Sequence, residues 1–205
     1  MALGFAALAL SLAPALAPAQ QGARDSVVYV VSPASRFQVK TGKAGLLGFA
    51  GHEHIIAARA FTGRIVHYPG RPADSRVAIV VPADSLEVLT PPDTAEIRKV
   101  TEAMRTQVLH VDEYHEIALV STEVTPTDSG FRILGRLTLA GQTRDVAVDV
   151  RVRIAGDTLW ATGTFSVKQT DFGIKPYRGG PAGTVRVADR VTLDLAAVAV
   201  RSPGP

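Results

Sequence analysis

The sequence predicts an all-β protein, an antiparallel up-and-down barrel of about eight strands with one short amphipathic helix. Three observations carry this. Apolar and polar residues alternate with period two repeatedly along the chain, the mark of strands with one dry and one wet face. The turns between these runs are short. The last four runs follow one another as sequential hairpins, an order that suits an up-and-down barrel better than the Greek-key crossing of a two-sheet sandwich, the structural competitor.

Taken in order, residues 1–19 carry no charge and run apolar from Ala2 to Ala13 before Pro14. The run is too short to span a bilayer, and Ala17-Pro18-Ala19 has the small-x-small pattern accepted by signal peptidase. It predicts a signal peptide cleaved before Gln20 and a periplasmic or secreted protein, although no basic residue precedes the apolar run, which keeps an uncleaved anchor open as an alternative. Residues 20–26 read as a linker, 27–201 as the barrel domain and 202–205 as a tail.

Short strands are expected at Val27 to Val31, Arg36 to Thr41, His52 to Ala58, Phe61 to Tyr68, Arg76 to Val81 and Glu116 to Val124. A helix is expected from about Asp93 to Val108, because Ile97, Val100, Met104 and Val108 share a face at helical spacing after Thr90-Pro91-Pro92. It would lie on the sheet as a lid or plug. Phe131, Ile133, Gly135, Leu137 and Leu139 then alternate up to a hairpin signal at Gly141-Gln142. Val146, Val148, Val150, Val152 and Ile154 form the dry face of the next strand, opposite Asp145, Asp149, Arg151 and Arg153. Gly156-Asp157 turns the chain into Leu159, Ala161, Gly163, Phe165 and Val167. The final strand carries Val185, Val187, Val191, Leu193 and Leu195 on its inner face.

A 205-residue chain with 46% hydrophobic residues can bury the core of one domain. The net charge is +3 with Lys and Arg scattered among Asp and Glu, so nucleic acid is not the expected partner. Without cysteine there is no disulfide, thiolate nucleophile or cysteine metal site, and no lipoprotein anchor. No Gly-x-Ser-x-Gly elbow is present. Asp171-Phe172-Gly173 lacks the rest of a kinase, and Gly42-Lys43 falls short of a phosphate loop. A non-enzymatic protein without a cofactor is the expectation.

Ser32-Pro33-Ala34-Ser35-Arg36-Phe37, Phe61-Thr62-Gly63-Arg64-Ile65, the run Val108 to Ile117, the run Gly135 to Arg144 and Asp171-Phe172-Gly173-Ile174 occur in that order. In these segments the chain resembles the YceI-like family of polyisoprenoid-binding periplasmic proteins. The resemblance covers about Tyr29 to Val200 and implies a lipocalin-like barrel whose hollow interior takes a long isoprenoid, such as a polyprenyl lipid or a quinone tail. Two features depart from the family pattern: His115 stands where Pro is usual, and the pair His52-Glu53-His54 is not general.

Candidate ligand-contacting residues, in the cavity or at its mouth, are Phe37, Val39, His52, His54, Ile65, Ile79, Ile133, Leu137, Val148, Val150, Phe165 and Phe172. Each apolar one also reads as plain core. His52 and His54 at i and i+2 of an extended segment project to one side. They read as polar caps at the barrel mouth, or as half of a metal site that His110, Asp112 or His115 would complete, or as an acid–base group. Lys168, Lys175, Tyr177 and Arg178 beside the Gly179 to Gly183 loop read equally as a solvated loop or as cations for an anionic head group. The implied partner is a hydrophobic small molecule, with transient membrane contact compatible with loading it. A homodimer is compatible with the sequence, which sets no oligomeric state.

Overall fold

The computed structural model describes residues 26–43, 53–90, 94–179 and 185–203. The strands are β1 (Val27–Val31), β2 (Arg36–Lys43), β3 (Ile55–Ala58), β4 (Thr62–His67), β5 (Arg76–Pro82), β6 (Leu86–Val88), β7 (Glu116–Thr127), β8 (Gly130–Leu139), β9 (Gln142–Ala155), β10 (Thr158–Lys168), β11 (Arg178–Gly179) and β12 (Val185–Arg201). The helix α1 (Thr94–Ala103) runs into a π-helical turn, Met104–Val108.

Eight strands close a ring in the order β1, β4, β5, β7, β8, β9, β10, β12 and back to β1, every neighbour antiparallel. Closure removes the exposed edges that an open sheet of this size would present. The 17-residue β12 makes it possible by serving two partners in succession. Val191 to Ala196 pair with β2, and Ala199 to Arg201 pair with β1. At the join the buried Ser35 hydroxyl donates to Val198 O (3.0 Å) and accepts from Val198 N (2.9 Å), so the β1–β2 turn stays stitched to the long strand.

β2 departs from the ring and carries β3 and β6 with it, so one end of the barrel flares. The helix covers the flap's free edge. Val88 N donates to Thr101 Oγ1 at 3.1 Å, and Arg105 donates through Nε and Nη2 to Leu86 O at 3.1 and 2.9 Å. Buried backbone groups that no strand reaches are thereby satisfied by helix side chains.

Two core clusters follow from this shape. The larger, with Val88, Met104, Leu137, Phe165 and Phe172, surrounds the flared half; the smaller, with Tyr29, Phe37, Ile65, Leu159 and Ala199, lies in the tightly closed half.

The structure adjusts several sequence expectations. The β8–β9 hairpin turns on Ala140-Gly141, at φ 47° and 71°, because Leu139 pairs with Gln142. Two successive positive φ values match the right-handed strand twist, and this places the turn one residue earlier than Gly141-Gln142. Ile154 is 41% exposed, lying at the end of β9 next to the Gly156-Asp157 turn rather than on a dry face. The strand expected from His52 is observed from Ile55; Gly51 and His52 lie outside the described residues, as do the signal segment and Asp93. β6 and β11 are too short to show any periodicity. The helix ends in a wider turn than its α-periodicity implies, with Leu109 N donating to Met104 O at 2.9 Å across five residues.

Candidate functional site

Inward-facing side chains of a barrel either fill it or leave a hollow. Here the flared half leaves a cavity of about 590 Å³, bounded by β2, β3, β6, α1 and the adjoining parts of β5, β7, β8, β10 and β12. Its wall is largely apolar, including Val39, Ile56, Val88, Met104, Leu137 and Leu193. The helix is therefore one wall of the hollow, presenting Val100, Ala103 and Met104, and not a plug within it. Polar groups gather at the rim: His54, Glu96, Lys99, Tyr177 and Arg186. Glu96, Lys99 and Arg186 are exposed, so the hollow opens to solvent at this end.

A second cavity of about 90 Å³ lies in the closed half, lined by Val77, Leu159 and others. Phe37, Ile79, Leu119 and Leu195 line both hollows and form the partition between them. Phe37 is held there by an edge-to-face contact with Phe61, with centroids 4.8 Å apart at 82°.

The residues singled out from the sequence divide between these spaces. Val39, His54, Leu137 and Phe165 line the larger cavity, and Ile65, Ile133, Val148 and Val150 the smaller, while Phe37 and Ile79 border both. Phe172, 2% exposed, lines neither and packs into the larger core cluster, with Gly173 at φ 72° turning the chain after it. Val88 escaped sequence reasoning because its three-residue strand carries no period. Leu193 sits on an alternating run but shares that pattern with every core residue of β12, so alternation alone does not separate liner from filler.

His54 is fixed at the rim by both its backbone and its ring. Its backbone extends the β2–β3 pairing, with Thr41 N donating to His54 O (3.0 Å) and His54 N to Thr41 Oγ1 (3.1 Å). Its Nδ1 lies 2.6 Å from Thr90 O. A carbonyl only accepts, so Nδ1 carries the proton, and in the neutral ring Nε2 is left as an acceptor. Thr90 Oγ1 in turn accepts from Ile55 N (2.9 Å) and donates to Glu53 O (3.2 Å). The imidazole is thus held in one tautomer by the Thr90 carbonyl in the segment after β6. Its candidate companion His52 lies outside the described residues. His110 and His115 are exposed, His115 Nδ1 donating to Val111 O at 2.9 Å, and among the described residues no three His, Asp or Glu side chains converge.

The smaller cavity has a polar corner at His67, Ser75 and Ser121. Burial holds the His67 pKa below its ordinary value. Ser75 Oγ accepts from Tyr68 N (3.2 Å) and sits 3.4 Å from His67 Nδ1; Ser121 Oγ accepts from Val77 N (2.9 Å). These hydroxyls satisfy backbone at the turn before β5 and at the β7 bulge, where pairing shifts between Ser121 and Glu123.

A family model described as the YceI-like domain matches residues 30–199. Among solved structures the chain is similar to BcnA from Burkholderia cenocepacia, with a TM-score of 0.66 at 19% identity over 82% of this chain and 98% of that one. It is also similar to a polyisoprenoid binding domain from Saccharophagus degradans implicated in plant cell wall breakdown (TM-score 0.57, 13% identity, 85% of this chain and 98% of that one). The Campylobacter jejuni YCEI protein aligns with a TM-score of 0.56 at 12% identity over 73% of this chain and 85% of that one. At these identities the likeness is one of fold. No curated protein matches the chain.

Proposed function

The chain belongs to the YceI-like family, and from that premise we propose that it is a carrier or sequestration protein that holds a long apolar chain, a polyprenyl lipid or a quinone tail, inside its barrel. The observation that carries the reading is the hollow itself. A volume of about 590 Å³ falls within the range of roughly 300–1,000 Å³ typical of small-molecule pockets. Its wall is apolar and it is open at one end, so a flexible hydrocarbon can enter lengthwise. Burial would supply about 25 cal/mol per Å² of apolar surface removed from water, with no covalent step. The similarity to a polyisoprenoid binding domain supports an isoprenoid over a compact ligand.

Export to the periplasm or medium is part of the proposal and rests on the uncharged apolar run of residues 1–19. A carrier located there would meet its ligand at a membrane surface.

Native mass spectrometry of the full chain purified from its host, followed by lipid extraction, tests the function. A stoichiometric, extractable apolar chain is the expected result. A protein that is ligand-free in the host and takes up no polyprenol in vitro would sink the carrier reading. Sequencing the amino terminus of the mature protein tests export, with Gln20 expected first.

A further inference from the structure

We propose that the outer wall formed by β4, β1, β12 and β10 docks the barrel onto a membrane surface rich in anionic phospholipid. The wall lies outside the barrel, so this role goes beyond the carrier reading and does not depend on it.

An antiparallel sheet that packs one face on its core normally turns polar residues to water on the other. β8 and β9 obey this. Their outward residues oppose one another as Arg132 and Asp149, with Nη1 3.5 Å from Oδ1, and as Arg136 and Asp145. β1 does not. Tyr29 and Val31 are buried inside, and the alternate residues Val28 and Val30 are apolar as well. Val30 is 50% exposed and lies opposite Val200 of β12, itself 46% exposed. Val28 lies opposite Val66 of β4. On β12, Val198 shares the outer face with Val200 and lies opposite Trp160 of β10. These four strands are neighbours in the ring, so their apolar outer residues form one continuous surface of the kind that marks a binding face.

Cations stand at its margins. Arg64 is opposite Val30, and Arg76 of β5 is opposite Val66. Arg153 of β9 is opposite Trp160 and sets its guanidinium 3.7 Å from the ring centroid. All three are exposed, and among the described residues none of them has an ion-pair partner. The bordering carboxylates Asp157 and Asp194 are instead paired with Arg201 and Lys40.

This layering matches a lipid surface. Short valine side chains reach the acyl boundary, while arginine stems lie along apolar surface and carry their charge out to the phosphates. An indole, with an apolar body and one N–H, suits the level between them. A second copy of the chain complements the wall less well. In a two-fold contact the patch meets itself, and Arg64 would be buried against valines or against its own copy.

The chain has one tryptophan, so Trp160 reports on the wall directly. The test mixes the full chain with vesicles of phosphatidylcholine, alone or with phosphatidylglycerol. Sedimentation with the anionic vesicles is expected to be about tenfold stronger than with phosphatidylcholine and to weaken as salt is raised. Trp160 emission should shift to the blue and be quenched by brominated acyl chains. Val30→Glu and Val200→Glu should each weaken binding several-fold, Val30→Ser less, and Arg64→Gln with Arg153→Gln should narrow the lipid preference. Thermal unfolding midpoints verify that these exposed positions tolerate the changes. Binding to neither vesicle, equal binding to both, or binding without quenching of Trp160 overturns the proposal. So does binding undiminished in both glutamate variants, as attachment through residues 1–19 would give, or a concentration-dependent dimer, lost in those variants, in place of vesicle binding.

Discussion

The hydroxyl of Thr101 on α1 accepts the amide N–H of Val88 on β6 at 3.1 Å, with both residues buried. This bond replaces the strand that β6 lacks on its outer side, and with the Arg105 fork on Leu86 O it fixes the helix as a wall of the larger cavity. Thr101→Val keeps the shape and removes the acceptor. The Val88 amide would then be buried without a partner, at a cost of about 1–3 kcal/mol. Urea unfolding should show that loss, and amide exchange should quicken first at Val88 and along α1. Exchange at Val88 unchanged from wild type would mean that the bond does not hold the edge.

Phe37 stands in the partition between the two hollows, 6% exposed. Phe37→Ala should cost about 3–5 kcal/mol and join the hollows into one longer space. The variant is expected to shift preference towards longer prenols, read as a rise in the ratio of geranylgeraniol to farnesol affinity. A ratio equal to that of the wild type would show that the partition does not limit chain length.

Filling the larger hollow should act in the opposite sense. Val39 is partly buried on its wall, so Val39→Trp would place an indole in space that the carrier reading assigns to ligand. Ligand affinity is expected to drop at least tenfold while stability changes by about 1–3 kcal/mol or less. Unimpaired binding in a folded variant would place the ligand elsewhere.

Gly141 sits at φ 71° in the β8–β9 turn, and a Cβ there would lie 2.5 Å from Tyr114 Cε1. Gly141→Ala therefore meets both backbone strain and a ring, and should destabilise by more than about 1 kcal/mol. In the background of Tyr114→Ala the steric part should vanish and the strain remain. A double-mutant cycle in thermal unfolding separates them, and full additivity would show that the ring yields at no cost.

His67 carries a folded-state pKa below the ordinary 6.5 because burial disfavours its charged form. The unfolded chain then binds the proton more readily, so this residue makes stability fall as pH drops through 6.5 towards the depressed folded value. Above 6.5 its contribution is constant. Denaturation midpoints of wild type and His67→Gln, compared between pH 7.5 and 5, should diverge in slope, the variant losing less on acidification. Parallel curves would remove His67 from the acid response.

Much of the barrel could be read from local pattern. Val148 and Val150 on β9, or Phe165 and Val167 on β10, announce their inward face because side chains alternate across a strand whatever it pairs with. The hairpins around Gly141 and Gly156 were visible for the same reason, since positive φ is a property of the residue and its neighbours. The flap was not. Three residues of β6 carry no period, and beyond its pairing with β3 it is held by Thr101 and Arg105 of the helical segment that follows.

The candidate site divides along the same line. His54, Phe37 and the apolar liners were identifiable by type, and the cations after Phe165 were visible as a cluster with two equal readings. That Arg178 opposes Arg186 depends on register between β11 and β12, which no local pattern encodes.

What the sequence alone determined is which side chains point inward along most of each long strand, Ile154 at the end of β9 excepted, that the sheet is antiparallel, and that nearby residues form the successive hairpins. A closed barrel was expected from alternation and hairpin order, but tertiary structure decided which strands close it, because β1 and β12 meet only through pairing across nearly the whole chain. It also decided that the interior is hollow at one end. Emptiness depends on whether side chains from eight strands and a helix fill the enclosed volume, and alternation along any one strand holds no information about what lies across the barrel.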